Sequence, residues 1–238
     1  MTNSIFKACD KPNVFCSLVT TDYTKAFDRV SHTVDIRRLI DLGLWPLLVR
    51  WVADFLSNRH QAVQYHGALS DMVPVTCSLP QGTLLGPLIF TAYINSAAQQ
   101  AVSTRWRFVN DFNMLEVRHS PVSPSHLQQD LTALDNWSKE SHMMLHPGKC
   151  KVMYIHFSKT PFIPRPLTVN NVNLQEVSSM RILGIHLQSN LKWDIHVNSI
   201  YHKASKRLFL LCKLKHFQLP VTVYITYIRP VIEYAAPV

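Results

Sequence analysis

This 238-residue chain is organised around an apolar run that ends in an acid, Val14-Phe15-Cys16-Ser17-Leu18-Val19-Thr20-Thr21-Asp22. Val, Phe and Thr dominate the run, which predicts a buried strand over residues 14–21. Asp22 then stands at the tip of that strand. An acid at a strand end is usually a solvated turn residue or a cap, so its significance depends on which other groups reach the same tip.

Apolar spacing along the rest of the chain predicts a mixture of helices and strands. The predicted helices cover about residues 33–43, 46–55, 82–102, 123 or 125 to 142, 193–216 and 220–233. The predicted strands cover residues 61–65, 72–77, 106–110, 113–118, 151–157, 167–169, 172–174 and 180–187. This mixture indicates an α+β core, and the last two helices predict a helical C-terminal lobe.

Composition and charge limit the classes of function. Hydrophobic residues make up 47% of the chain, which is enough for a substantial buried core. The net charge of +9 favours a polyanion or an anionic membrane surface as a partner, with an ordinary basic protein as the alternative. The five cysteines show no C-x-x-C spacing, so the sequence predicts neither a zinc site nor a disulfide framework.

The sequence contains no pattern typical of secretion or of a membrane span. The first twenty residues lack the apolar segment of a secretory signal. The longest apolar stretch, residues 84–102, is interrupted by Pro87, Asn95 and Ser96. We therefore expect an intracellular protein of the nucleus or cytoplasm, with no transmembrane segment.

Two acids and one helix start could form a metal site. Asp22 ends the first strand, and Asp111 is expected at the apex of a turn between the strands at 106–110 and 113–118. Carboxylates at neighbouring strand tips suit hard cations such as Mg²⁺. Between them Pro80-Gln81-Gly82 opens a helix, where a glycine allows a nucleotide to approach the backbone. Each of these signals is weak alone.

Six motifs follow one another in a fixed order along the chain. They are Asp22-Tyr23-Thr24-Lys25-Ala26-Phe27-Asp28, Ser78-Leu79-Pro80-Gln81-Gly82-Thr83, Phe108-Val109-Asn110-Asp111, His146-Pro147-Gly148-Lys149-Cys150, Leu183-Gly184-Ile185 with Leu191-Lys192-Trp193, and Tyr227-Ile228-Arg229-Pro230. In order, spacing and chemistry they resemble the reverse transcriptases of non-LTR (LINE-type, jockey-like) retrotransposons over about residues 10–238.

The resemblance implies a reverse transcriptase palm, an antiparallel sheet with packed helices, over residues 1–178. A primer grip and a partial helical thumb would follow over residues 179–238. It also implies that the fingers, the endonuclease and the region after the thumb lie outside this chain.

The resemblance further implies an activity and a metal site. The chain would extend a DNA primer with dNTPs on an RNA template, and its oligomeric state stays open. Asp22 and Asp111 would be the metal-binding carboxylates for two Mg²⁺ ions, with Mn²⁺ as an alternative.

Other residues would bind the incoming nucleotide. Phe27 would pack under its sugar and exclude a 2′-hydroxyl, although a core aromatic is the alternative interpretation. Gln81 would hydrogen-bond near the nucleotide, and Gly82 would permit its close approach. Lys149, or alternatively Lys151, would protonate the leaving pyrophosphate.

A basic helix near the C-terminus predicts contact with nucleic acid. Its cationic residues include Lys192, Lys203, Lys206 and Arg207, which suit the phosphates of a template–primer duplex. The apolar stripe from Val197 to Leu211 is expected to face the palm, leaving the cations toward solvent. A solvated basic face without a ligand is the alternative.

Asn110 is the main departure from the family pattern, because it stands where the first of two adjacent catalytic aspartates is expected. An amide oxygen can bind Mg²⁺ but has no net charge, so the predicted cost is a factor of order a thousand or more in rate. Two alternatives to an active polymerase therefore stay open: an inactive module that binds nucleic acid, and a nonfunctional remnant of an element.

Overall fold

The computed structural model describes residues 1–159, 162–213 and 221–234. Its helices are α1 (Thr2–Cys9), α2 (His32–Asp41), α3 (Pro46–Leu56), α4 (Leu85–Ile94), α5 (Leu127–Glu140), α6 (Asp194–Lys213), α7 (Val221–Val223) and α8 (Arg229–Ile232). Its strands are β1 (Phe15–Thr21), β2 (His60–Gln61), β3 (Gln64–Tyr65), β4 (Ala68–Leu69), β5 (Val73–Pro74), β6 (Thr104–Phe108), β7 (Asp111–Arg118), β8 (Lys151–His156), β9 (Thr168–Val169), β10 (Val172–Asn173), β11 (Gln175–Glu176), β12 (Ser179–Ile182) and β13 (Ile185–Gln188). The α+β class predicted from the sequence is confirmed.

The centre of the fold is a five-stranded sheet in the order β11-β8-β1-β7-β6. β1 lies in the middle and pairs antiparallel with both β7 and β8. Because successive side chains of a strand point to opposite faces, Leu18 and Val19 enter two different cores. Val19 packs with residues of α2–α5, and Leu18 packs with Ile5 of α1 and Met180 of β12. Covering both faces explains why β1 is apolar almost throughout.

Polar contacts hold the β6–β7 hairpin against the helices. The guanidinium of Arg107 donates to the carbonyl oxygens of Ile94 (2.8 Å) and Asn95 (2.6 Å) at the end of α4. At the other end of the hairpin, the Glu116 carboxylate accepts a hydrogen bond of 2.7 Å from the backbone N–H of His126 before α5. Hydrogen bonds to charged groups are among the stronger ones in proteins, so the hairpin position is fixed from both ends.

Several of the predicted elements have different bounds. The strands expected over residues 61–65 and 72–77 are replaced by the short strands β2 to β5, and the helix expected over residues 220–233 is divided, in its described part, into α7, the π-helical turn Tyr224–Ile228 and α8. The helix expected over residues 82–102 is shorter, because α4 ends at Ile94 and turns follow. The single strand expected over residues 180–187 is instead the hairpin β12–β13. Its two turn residues, Leu183 (φ 48°) and Gly184 (φ 86°), both adopt the left-handed conformation, and this pair of angles matches a tight hairpin turn.

The C-terminal helices pack differently from the prediction. No residue of the described helix α6 is buried, and Val197 and Leu208 of its apolar stripe are 57% and 49% exposed. The reason is that α6 contacts β13, α8 and the π-helical turn Tyr224–Ile228 rather than the five-stranded sheet. The predicted extension of this helix to His216 lies outside the described residues. Across the described part of the chain, no helix is long and apolar enough to cross a membrane.

Candidate active site

The register of the central sheet aligns three candidate residues at one edge. Thr21 of β1 is paired with Phe112 of β7, so the next step places Asp22 opposite Asp111. On the other side, Thr20 is paired with Lys151 of β8, so two further steps place Lys149 beside Asp22. Residues separated by 89 and 127 positions in sequence therefore meet because three antiparallel strands end together.

Asn110 belongs to the turn that joins β6 to β7. The prediction that Asp111 occupies the apex of this turn is wrong, because Asp111 is the first residue of β7 and pairs with Phe108. The two apex residues are Val109 and Asn110. Val109 has φ 54°, a conformation that is costly for a β-branched residue and that is found mainly at functional sites. Because Val109 and Asn110 form the whole turn, Asp111 belongs to the strand and Asn110 does not.

Both carboxylate oxygens of Asp22 are engaged by hydrogen-bond donors. The Asn110 side-chain amide donates from Nδ2 to Oδ1 across 3.2 Å. The Lys149 ammonium lies 3.0 Å from Oδ2. Asp22 is one-quarter exposed and Lys149 more than half exposed, so solvent screens this ion pair. The amide nitrogen must face the carboxylate, since the amide oxygen would be repelled by it.

Asp22 and Asp111 open into one small cleft of about 210 Å³. Its described lining comprises Thr20, Thr21, Asp22, Asp111, Asn113, Lys149, Lys151, Met180, Arg181 and Ile182. Two acids thus face three basic side chains. Arg181 was not identified from the sequence, although its place two residues before the Leu183-Gly184 turn was an available signal.

Asp111 is electrostatically disfavoured as a charged group. Partial burial raises the pKa of its carboxyl above the usual aspartate range, and the negative charge of Asp22 raises it further. A bound cation would reverse both effects by neutralising the two carboxylates. The pair therefore has a charge distribution that favours the binding of a cation.

Among the nucleotide-binding candidates, Phe27, Gln81 and Gly82 lie outside the described lining of this cleft, whereas Lys149 and Lys151 line it. Phe27 stacks on Phe90 of the core, with ring centroids 4.6 Å apart. The side-chain amide of Gln81 donates to the Asp28 carboxylate across 3.3 Å. Gly82 has φ 80°, and no described atom lies within 4 Å of where its Cβ would stand. The backbone at Gly82 is therefore open to a close approach.

A second cavity lies beside the first, between the β12–β13 hairpin and the C-terminal helices. It has a volume of about 420 Å³, and its described lining includes Arg181, His196, Lys203 and Arg207. Since Arg181 lines both cavities, it lies between Asp22 and α6.

The four predicted nucleic-acid contacts differ in exposure. Lys192, Lys203 and Lys206 are exposed, whereas Arg207 is partly buried. The guanidinium of Arg207 donates to the Tyr227 carbonyl and lies 4.5 Å from the centre of its ring. Arg207 therefore joins α6 to the turn before α8, and the three lysines extend toward solvent.

The residues of the cleft fit a divalent cation that is shared with substrate phosphates. Mg²⁺ is commonly held by one or two carboxylates together with phosphate oxygens, which matches Asp22 and Asp111. A complete protein cage is not formed: among residues 1–159, 162–213 and 221–234, no group of three or more His, Cys, Asp or Glu side chains could hold a metal ion. The amide oxygen of Asn110 would serve as a third ligand only if the amide rotated away from Asp22.

Comparison with known proteins gives matches along most of the chain. The family model for reverse transcriptase (RNA-dependent DNA polymerase) matches residues 2–187. The chain is 23% identical to a probable RNA-directed DNA polymerase from transposon X-element of Drosophila melanogaster, over 94% of this chain and 26% of that protein. It is 24% identical to the RNA-directed DNA polymerase from mobile element jockey of Drosophila funebris, over 79% of this chain and 21% of that protein. The chain thus spans about a quarter of the length of the curated relatives it matches.

Solved structures show the same fold at low sequence identity. The apo telomerase from Candida tropicalis, truncated from its C-terminal domain, superposes with a TM-score of 0.56 at 10% identity, covering 80% of this chain and 37% of that chain. The telomerase from the same organism in complex with the TWJ fragment of telomeric RNA gives a TM-score of 0.54 at 10% identity, over 81% of this chain and 32% of that chain. At this identity the likeness concerns the fold alone.

Proposed function

Because this chain belongs to the reverse transcriptase (RNA-dependent DNA polymerase) family, we propose that it adds dNTPs to the 3′-hydroxyl of a DNA primer on an RNA template. The resemblance to non-LTR retrotransposon proteins, first indicated by the six motifs, is confirmed by the X-element and jockey relatives. The observation that supports the activity best is the convergence of Asp22 and Asp111 in one cleft. Asn110 lowers the rate without removing these two carboxylates.

The family is generally dependent on divalent metal, and we propose Mg²⁺, or Mn²⁺, for this chain. Asp22 and Asp111 would hold it. When bound there, the metal supplies Lewis acidity to the attacking hydroxyl and to the leaving pyrophosphate. By holding the metal at the sheet edge, the two carboxylates would position the reacting atoms. This positioning would be the contribution of the protein to the rate.

Side chains around the cleft would orient the nucleotide. The Phe27 ring would form a rigid wall beside the sugar, because it stacks on Phe90. The open backbone at Gly82 and the amide of Gln81 would contact the base or phosphates. Lys151 is the better candidate for protonating pyrophosphate, since Lys149 is paired with Asp22.

We propose a functional division into a palm over residues 1–178 and a primer grip with partial thumb over residues 179–238. The supporting observation is that the hairpin β12–β13 contributes Met180, Arg181 and Ile182 to the cleft. RNA template, DNA primer and dNTP are the proposed ligands. These substrates indicate the nucleus or the cytoplasm as the place of action.

An RNA-templated extension assay tests the proposed activity. Purified chain, Mg²⁺ or Mn²⁺, a labelled DNA primer and dNTPs are incubated with an RNA template, with a non-complementary RNA as the control. We expect slow extension that requires the complementary template. Extension that ignores the template would contradict the proposal. Salt-sensitive binding of the hybrid without extension by this chain or by its Asn110→Asp variant would favour an inactive binding module.

The proposed contact between the lysines of α6 and the phosphates of a nucleic acid gives a further prediction. We expect Lys203→Met to weaken binding of an RNA–DNA hybrid about 3- to 10-fold, because one phosphate contact is lost. The slope of log affinity against log salt should fall by about one. Fluorescence anisotropy at several salt concentrations measures both quantities. The exposed Lys7 of α1, changed to Met, removes the same charge at a distance and should leave the slope unchanged; an equal effect there would contradict a local contact.

A further inference from the structure

We propose that Lys149 occupies the cation position of Asp22 and that a divalent metal binds this site only by displacing it. The inference rests on the proposed function in one respect, the assignment of Asp22 as a metal ligand. Lys149 would then set the metal affinity of the cleft.

The geometry around Asp22 carries the first step of the argument. Its Oδ2 lies 3.0 Å from the Lys149 ammonium, and its Oδ1 accepts from the Asn110 amide. An ammonium and an amide N–H are both donors, so neither oxygen of Asp22 is left without a partner. A cation that approaches Asp22 must therefore break at least one of these contacts.

The charge of the cleft carries the second step. Lys149, Lys151 and Arg181 outnumber the two acids in the described lining. As long as the Lys149 ammonium remains paired with the Asp22 carboxylate, it would repel a divalent cation beside Asp22 and Asp111. Removing Lys149 thus frees one ligand oxygen and also removes the nearest repulsive charge.

The geometry of Lys151 offers a matched comparison. It lines the same cleft, carries the same charge and comes from the same edge of the sheet, but no ion pair joins it to Asp22 among the described residues. A general electrostatic effect on metal binding should be similar for both lysines. Competition for Asp22 should appear only at Lys149.

Mn²⁺ binding in the absence of nucleic acid tests the proposal. Free Mn²⁺ is measured by electron paramagnetic resonance while metal is titrated into the wild-type chain, Lys149→Met and Lys151→Met, with circular dichroism as the check of folding. We expect Lys149→Met to bind Mn²⁺ about 3- to 10-fold more tightly than the wild type, since a partly exposed ion pair is lost together with a repulsive charge. Lys151→Met should show a clearly smaller gain.

A second pair of variants makes the test specific to Asp22. In an Asp22→Asn background the Lys149→Met change should no longer tighten Mn²⁺ binding, because the contested carboxylate is gone. Equal gains from both lysine variants, no gain from Lys149→Met, or no binding by any variant would overturn the proposal. The readout does not depend on polymerase activity, so loss of RNA-templated extension in every variant would count against the proposed function alone.

Discussion

Asn110→Asp is expected to raise the rate of RNA-templated primer extension by about a thousandfold. The reason is that the variant adds a third carboxylate beside Asp22 and Asp111 and removes an amide that donates to Asp22. A deficit of several kcal/mol in stabilising a doubly charged transition state corresponds to a rate factor of this order. Single-turnover extension of a labelled primer at saturating Mg²⁺ measures the change.

Two controls separate a repaired metal site from a general effect of charge. Asn171→Asp places the same new carboxylate in the exposed turn between β9 and β10 and should leave the rate unchanged. Asp22→Asn in the Asn110→Asp background should return extension to the background rate. If a folded Asn110→Asp chain extends no faster than the wild type, the amide at this position is not what limits the rate.

Asp35→Asn is expected to stabilise the fold above neutral pH. Asp35 is completely buried in α2, and neither of its carboxylate oxygens has a hydrogen-bond partner among the described residues. Burial raises the pKa of this carboxyl from 3.8 to about 7, partly offset by the positive charge of Arg38 one turn later. A charged Asp35 therefore opposes folding.

The direction of the pH effect follows from linkage. The folded state holds the Asp35 proton up to about pH 7, whereas the unfolded chain releases it near pH 4. Below about pH 4 the carboxyl is protonated in both the folded and the unfolded state and does not lower the stability. As the pH rises from about 4 to about 7, the free energy of unfolding falls, because only the unfolded chain releases the proton. The displacement of the pKa corresponds to at most about 4 kcal/mol. Because a buried Asn amide is also unpaired, we expect a net gain of about 1–3 kcal/mol at pH 8.

Urea unfolding between pH 5 and pH 8 measures this prediction. The wild type should lose stability between about pH 5 and pH 7 and change little from pH 7 to pH 8, and Asp35→Asn should show a flatter profile. Asp41→Asn removes the same charge from the exposed end of α2 and should keep the wild-type pH dependence. A wild-type profile that does not decline between pH 5 and pH 7 would exclude a raised pKa at Asp35.

Sequence periodicity predicted most of the helices and strands of the sheet, because these elements depend on local spacing of apolar residues. It was wrong where one run contains a tight turn: residues 180–187 are continuously compatible with a strand, and the reversal at Leu183-Gly184 becomes necessary only when Met180 and Leu187 must reach the same core. It was also wrong about α6, since the amphipathic pattern of a helix indicates an apolar face but not the surface that face contacts.

By itself the sequence determined the family and the α+β class, and it predicted Asp22, Asn110 and Asp111 as the residues on which activity would depend. These follow from residue type and order, which the chain carries locally. Only the tertiary structure decided that Asn110 forms the turn while Asp111 begins the strand, that Lys149 pairs with Asp22, and that Arg181 lies between the cleft and α6. The physical reason is that register between strands distant in sequence sets which charged groups meet, and charges interact according to distance in space rather than along the chain.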